Sequence, residues 1–167
     1  MTKKKSLVWL NCFESELPSR ILEVGSVLTS PGTLILLEGK MGAGKSALAR
    51  ALLLHLTDQS DTKGSPSFPL VQEYVSSQGM PIFHIDLYRL KSEEELMDSG
   101  IAEQIDSNDA LVMIEWASLF PDFFNHYYSS RSRKKVIEVL IEEGVGDTRN
   151  YRVTETDDLK TRTQVRF

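Results

Sequence analysis

The segment Leu34 to Arg50, LILLEGKMGAGKSALAR, joins an apolar run to a glycine-rich turn ending in Lys-Ser, then to a helix-forming stretch. Gly39, four intervening residues and Gly44-Lys45-Ser46 have the spacing of a phosphate-binding loop. A strand before the turn and a helix after it are what that motif requires. The first amides of such a helix have no partner inside it, and they point into the loop with the positive end of the helix dipole. Glycines let those amides approach phosphate oxygens. Lys45 adds a compact cation directed at the β and γ phosphates, and the Ser46 hydroxyl is a candidate Mg²⁺ ligand. The pattern predicts a bound nucleoside triphosphate and leaves ATP and GTP both open.

A metal-nucleotide site usually adds a carboxylate at the tip of a neighbouring strand. Two acids qualify. Glu115 follows Leu111-Val112-Met113-Ile114, and Asp86 follows Ile82-Phe83-His84-Ile85. Position favours Glu115 as the ligand, direct or through water, and leaves Asp86 to orient attacking water or to tie a loop to the metal shell. Ser65-Pro66-Ser67-Phe68 is either a loop that senses the terminal phosphate or a turn before a strand. Tyr88-Arg89 suits an anion or a partner surface, or else ends a strand in solvent. Trp116 belongs either to the site or to core packing. Arg131, Arg133, Lys134 and Lys135 form the densest basic cluster, read as a solvated face, an RNA contact or a lid over phosphates. His55, His84 and His126 lack metal-ligand spacing and receive no role.

The elements that must hold these residues follow from periodicity. Leu7 to Leu10 reads as a short strand, and Glu16 to Thr29 as an amphipathic helix with Leu17, Ile21, Val24 and Leu28 on one face. Leu34 to Leu37 is a buried strand, and Ser46 to Leu56 the helix of the loop. Phe68 to Val75 and Ile82 to Tyr88 form a hairpin around Ser76 to Gly79. Ser92 to Glu95 starts a helix that Gly100 ends. Ala110 to Ile114 reads as a central strand. Val136 to Ile141 and Tyr151 to Thr154 complete the β content around a turn at Gly144 to Asp147. The expected fold is α/β, a P-loop NTPase-like three-layer sandwich with a mixed, mainly parallel sheet that includes the hairpin. No linker or repeat divides residues 1–167, so one domain is expected, with a polar, frayed tail from about residue 156.

Composition bounds the class. Of 167 residues, 41% are hydrophobic and 26% charged, as in soluble globular proteins. No apolar run is long enough for a membrane span, and one cysteine excludes an internal disulfide. These features point to the cytoplasm. A net charge of −5 argues against broad coating of nucleic acid.

Four segments in order, GKMGAGKSA, SPSFPLVQEY, HIDLYRL and IEWAS, resemble the bacterial TsaE family, also called YjeE. Its pattern runs GDLGAGKTT, SPTFTLVxEY, HFDLYRL and IEWPE. The resemblance covers roughly residues 34 to 118. It implies an ATPase required for threonylcarbamoyladenosine formation in tRNA, acting on the TsaD–TsaB heterodimer and resetting it between turnovers. Contact with tRNA would then be indirect. By matching position, Gly42, Ala43, Gly44, Lys45, Ser46 and Ala47 would cradle phosphate, Ser46 and Glu115 would hold Mg²⁺, and Ser67 would lie in a switch-like loop. Asp86 and Trp116 would be functionally sensitive, and Arg149 resembles a late nucleotide-contacting arginine. Departures include Lys40 for Asp, Pro69 after the switch-like segment, and Ala117-Ser118 for Pro-Glu. Lys40 would add a contact to phosphate or to an acidic partner. A small-molecule kinase and a nucleotide-dependent binding module remain the competing readings.

Overall fold

The computed structural model describes residues 6–57, 70–124 and 135–156. Among the described residues, seven strands form one sheet, and helices cover both of its faces. In chain order they are β1 (Ser6–Cys12), α1 (Leu17–Leu28), β2 (Thr33–Glu38), α2 (Lys45–Leu56), β3 (Val71–Val75) and β4 (Pro81–Asp86). α3 (Glu93–Asp98), α4 (Ile101–Asp106), β5 (Leu111–Glu115), β6 (Lys135–Glu143) and β7 (Arg149–Thr156) follow. The spatial order is β1-β7-β6-β2-β5-β4-β3.

β6, β2, β5 and β4 are mutually parallel and occupy the middle. Every residue of β2 and β5 is buried, as expected of parallel strands covered on both faces. Alternation along β2 splits the core. Ile35 and Leu37 face a cluster with Leu17, Ile21, Leu48 and Leu52 of α1 and α2. Leu34 and Leu36 face the opposite cluster with Leu96, Ile101 and Ile105 of α3 and α4. This is the three-layer mixed arrangement the sequence predicts, and the expected β3–β4 hairpin is present. The antiparallel share is larger than expected, because β7 pairs antiparallel with both β6 and β1.

Local boundaries follow side-chain chemistry. Pro18 enters the first turn of α1, where its missing N–H costs nothing. Ser92 caps α3 by accepting the Glu95 amide at 3.2 Å. Gly100, in the left-handed region at φ 76°, ends α3 and immediately caps α4. The sequence did not reveal α4: Ile101 and Ile105 give only one i, i+4 pair, too little periodicity to recognise. The strand expected through Tyr88 stops at Asp86. There the Asp86 carboxylate accepts the Tyr88 amide at 3.1 Å and turns Leu87–Arg89 into a 3₁₀ turn. Tyr88 and Arg89 therefore belong to that turn and not to a strand end. Ser65 to Phe68, Arg131 to Lys134, His126 and the polar tail lie outside the described residues.

Candidate functional site

The parallel register brings the two strand-end acids together. Asp86 of β4 and Glu115 of β5 are direct neighbours across the ladder, and Leu37 of β2 lies beside Glu115 on its other side. Beyond Leu37 the chain passes Glu38 into the loop, and α2 starts at Lys45. Gly44 is its N-cap at φ 106°, a conformation that disfavours a side chain. At Gly39, φ is 149° and a Cβ would lie 2.5 Å from the Ile141 carbonyl oxygen of β6. The first and last glycines of the motif are thus required by backbone shape and by close approach.

A cavity of about 280 Å³ opens over this loop, lined by Gly42, Gly44, Lys45, Ser46, Asp86 and Glu115 among others. Met41, Ala47, Tyr88 and Trp116 also line it. Inside it, the Ser46 hydroxyl donates to Oε2 of Glu115 at 3.1 Å. Oε1 of the same carboxylate lies 2.9 Å from Nε2 of His84, and both residues are almost fully buried. His84 received no role from its spacing, so the structure adds it. Period-two alternation was the available signal, since it puts His84 on the same β4 face as Asp86.

Lys45 is buried, and its ammonium donates to the carbonyls of Gly39 at 2.7 Å and Lys40 at 2.9 Å. It also lies 3.5 Å from the centre of the Trp116 ring, a cation–π contact. Burial lowers its pKa below the usual lysine value, while Glu115, Glu38 and Asp86 oppose that shift. The lysine charge is therefore fastened to its own loop in the midst of three acids. Trp116 owes its place to an unusual backbone: its φ is 66°, and its ring packs against Tyr88 at a 41° tilt with centroids 5.0 Å apart. A bulky residue held there costs about 1–3 kcal/mol, the kind of strain found at functional sites. Trp116 is thus part of the site wall and of the packing at once.

The remaining expectations separate. Gly42, Gly44 and Ala47 line the cavity over the loop, whereas Ala43 lines a second cavity, of about 480 Å³, with Glu38, Lys40, Trp116 and Ser118. Lys40 belongs to that second cavity and not to the one holding Ser46 and Glu115. Arg149 opens β7 with its stem near Gly44, and its guanidinium donates to the Thr148 carbonyl at 2.8 Å. Ser67 lies outside the described residues. Glu38, also missed from sequence, is a buried acid whose two oxygens accept the Ser118 amide at 3.0 Å and hydroxyl at 2.7 Å.

The donor set suits Mg²⁺. Ser46 and Glu115 offer hard oxygens 3.1 Å apart. Adjacent ligands of an octahedral Mg²⁺ at about 2.0–2.1 Å are themselves separated by about 2.9 Å. Among the described residues no three His, Cys, Asp or Glu side chains form a metal cage.

The chain resembles the curated TsaE protein of Rickettsia felis at 39% identity over 89 residues, 53% of this chain and 50% of that one. It resembles that of Nostoc at 40% over 110 residues, 65% of each. The match thus spans about half the length of the Rickettsia relative. The crystal structure of Bacillus subtilis YdiB superposes with a TM-score of 0.63 at 21% identity, covering 97% of this chain and 93% of that one, and shares the fold. Among the described residues, no helix is long and apolar enough to cross a membrane. The family profile described as threonylcarbamoyl adenosine biosynthesis protein TsaE matches residues 15–150, and the chain belongs to the TsaE family.

Proposed function

We propose that this protein is a Mg²⁺-dependent ATPase that serves as an accessory component in forming threonylcarbamoyladenosine in tRNA. The observation that carries the reading is the Ser46–Glu115 pair, 3.1 Å apart, at the start of the P-loop helix. Lys45 and the amides of Gly42 to Ala47 bind the phosphates, and Arg149 and Ser67 contact the nucleotide. Ser46 and Glu115 hold Mg²⁺, which neutralises charge developing on the phosphates. Asp86, beside Glu115 in the ladder, aligns the attacking water. The protein acts by positioning and charge stabilisation, with no covalent intermediate on a side chain.

The preference for ATP and the partners rest on family membership. Hydrolysis resets a TsaD–TsaB heterodimer between turnovers, and contact with tRNA is indirect. The cytoplasm suits a chain whose single cysteine, Cys12, is a buried free thiol. Turnover is slow until the partners bind. Phosphate release measured with and without a TsaD–TsaB pair tests this: a clear stimulation is expected, and equal rates count against it. Calorimetry showing neither ATP nor GTP binding in Mg²⁺ would remove the enzyme altogether.

A further inference from the structure

The Glu115 carboxylate is gripped from two sides by partners of different kinds. Oε2 meets the Ser46 hydroxyl of the loop, while Oε1 meets the imidazole of His84 on the neighbouring strand. We propose that His84 is a positioning residue, whose Nε2–H pins Oε1 of Glu115 and leaves Oε2 as the oxygen presented to Ser46 and the cation. The proposal rests on the reading of this pocket as a Mg-nucleotide site.

Three features support it. His84 is 3% exposed and Glu115 2%, so the contact between them is shielded from bulk water and the loss of either partner is costly. An ionised carboxylate only accepts, so Nε2 of the ring must carry the N–H of this contact. The anchor is also stiff. His84 pairs with Gln72 of β3 on one side and Met113 of β5 on the other, within the sheet. The Ser46 contact is the one a metal replaces, whereas the His84 contact persists through binding. Side chains in this outer position orient a metal ligand without touching the metal, and their loss typically costs about 10–100-fold in metal affinity or activity.

The test is calorimetric titration of ATP at graded Mg²⁺ concentrations, with H84Q, H84N and H84L against the parent chain. Glutamine places an amide N–H where Nε2 stands, whereas asparagine is one bond too short and leucine has no donor. H84Q is expected to keep the Mg²⁺ midpoint within about two-fold, while H84N and H84L raise it about ten-fold. Nucleotide affinity in EDTA, set by Lys45 and the loop amides, is expected to be the same in all. If H84L fails to fold, H84Q and H84N decide between them. A midpoint unmoved in H84N and H84L overturns the proposal, as does an H84Q that loses as much as H84N. A parent chain with no Mg²⁺-dependent nucleotide binding overturns the site reading itself, which is a different result.

Discussion

Glu38 and Glu115 end adjacent parallel strands, both are buried, and both lie within electrostatic reach of Lys45. Their partners differ. Glu38 is bound through both oxygens by the amide and hydroxyl of one residue, Ser118, in the turn after β5. Glu115 divides its oxygens between a sheet histidine and the P-loop hydroxyl. The first is a clamp joining the tip of β2 to the β5 turn. The second joins two different elements, and the proposed reading assigns its Ser46 contact to exchange with a cation. Burial and charge are therefore common to both acids; in the proposed reading, the exchangeable second partner of Glu115 is what would set a metal-binding acid apart from a structural one.

The sharpest way to break this contrast is to remove each acid in turn. Glu115→Ala is expected to lower phosphate release at saturating ATP at least about 100-fold, on the scale of losing an electrostatic contact to the transition state. Retention of most activity would erase the distinction. Gly39→Ala, just beyond the clamp, drives a Cβ to 2.5 Å from the Ile141 carbonyl at a positive φ. It should cost about 2–3 kcal/mol in urea unfolding and weaken nucleotide binding with it. Ser118→Ala removes the hydroxyl from Glu38 and should cost about 1–3 kcal/mol of stability while leaving hydrolysis within about three-fold. A large loss of hydrolysis with little loss of stability would mean that the clamp takes part in chemistry.

The smallest effect is read by pH. Tyr151, buried behind the loop with its hydroxyl 3.7 Å from where a Gly44 Cβ would stand, has its pKa pushed up to about 12 by burial. The folded protein thus keeps a proton that the unfolded chain loses near pH 10. Its contribution is complete below pH 10 and is lost as pH climbs from 10 to 12, by up to about 2 kcal/mol. Unfolding free energies across that window check the sign, and Tyr151→Phe should flatten the slope.

How much was legible varied with the type of signal. The P-loop was plain because glycine positions and the Lys-Ser pair are local demands of backbone shape and charge. Glu115 and Asp86 were legible because each ends a strongly apolar run. His84 was not, since an imidazole on a strand looks the same whether it packs or binds. Glu38 was hidden because its partner, Ser118, is 80 residues away. α4 escaped because six residues hold too few turns to display a period.

Sequence alone determined the glycine-rich bend, the alternating strands and the sites where chains must turn, because these depend on neighbours within a few residues. Tertiary structure decided that Glu115 is shared by Ser46 and His84, that Lys45 rests against Trp116, and that Lys40 faces the other cavity. Those pairings depend on strand order and register, and the pairing of side chains distant in sequence becomes definite only when the sheet closes.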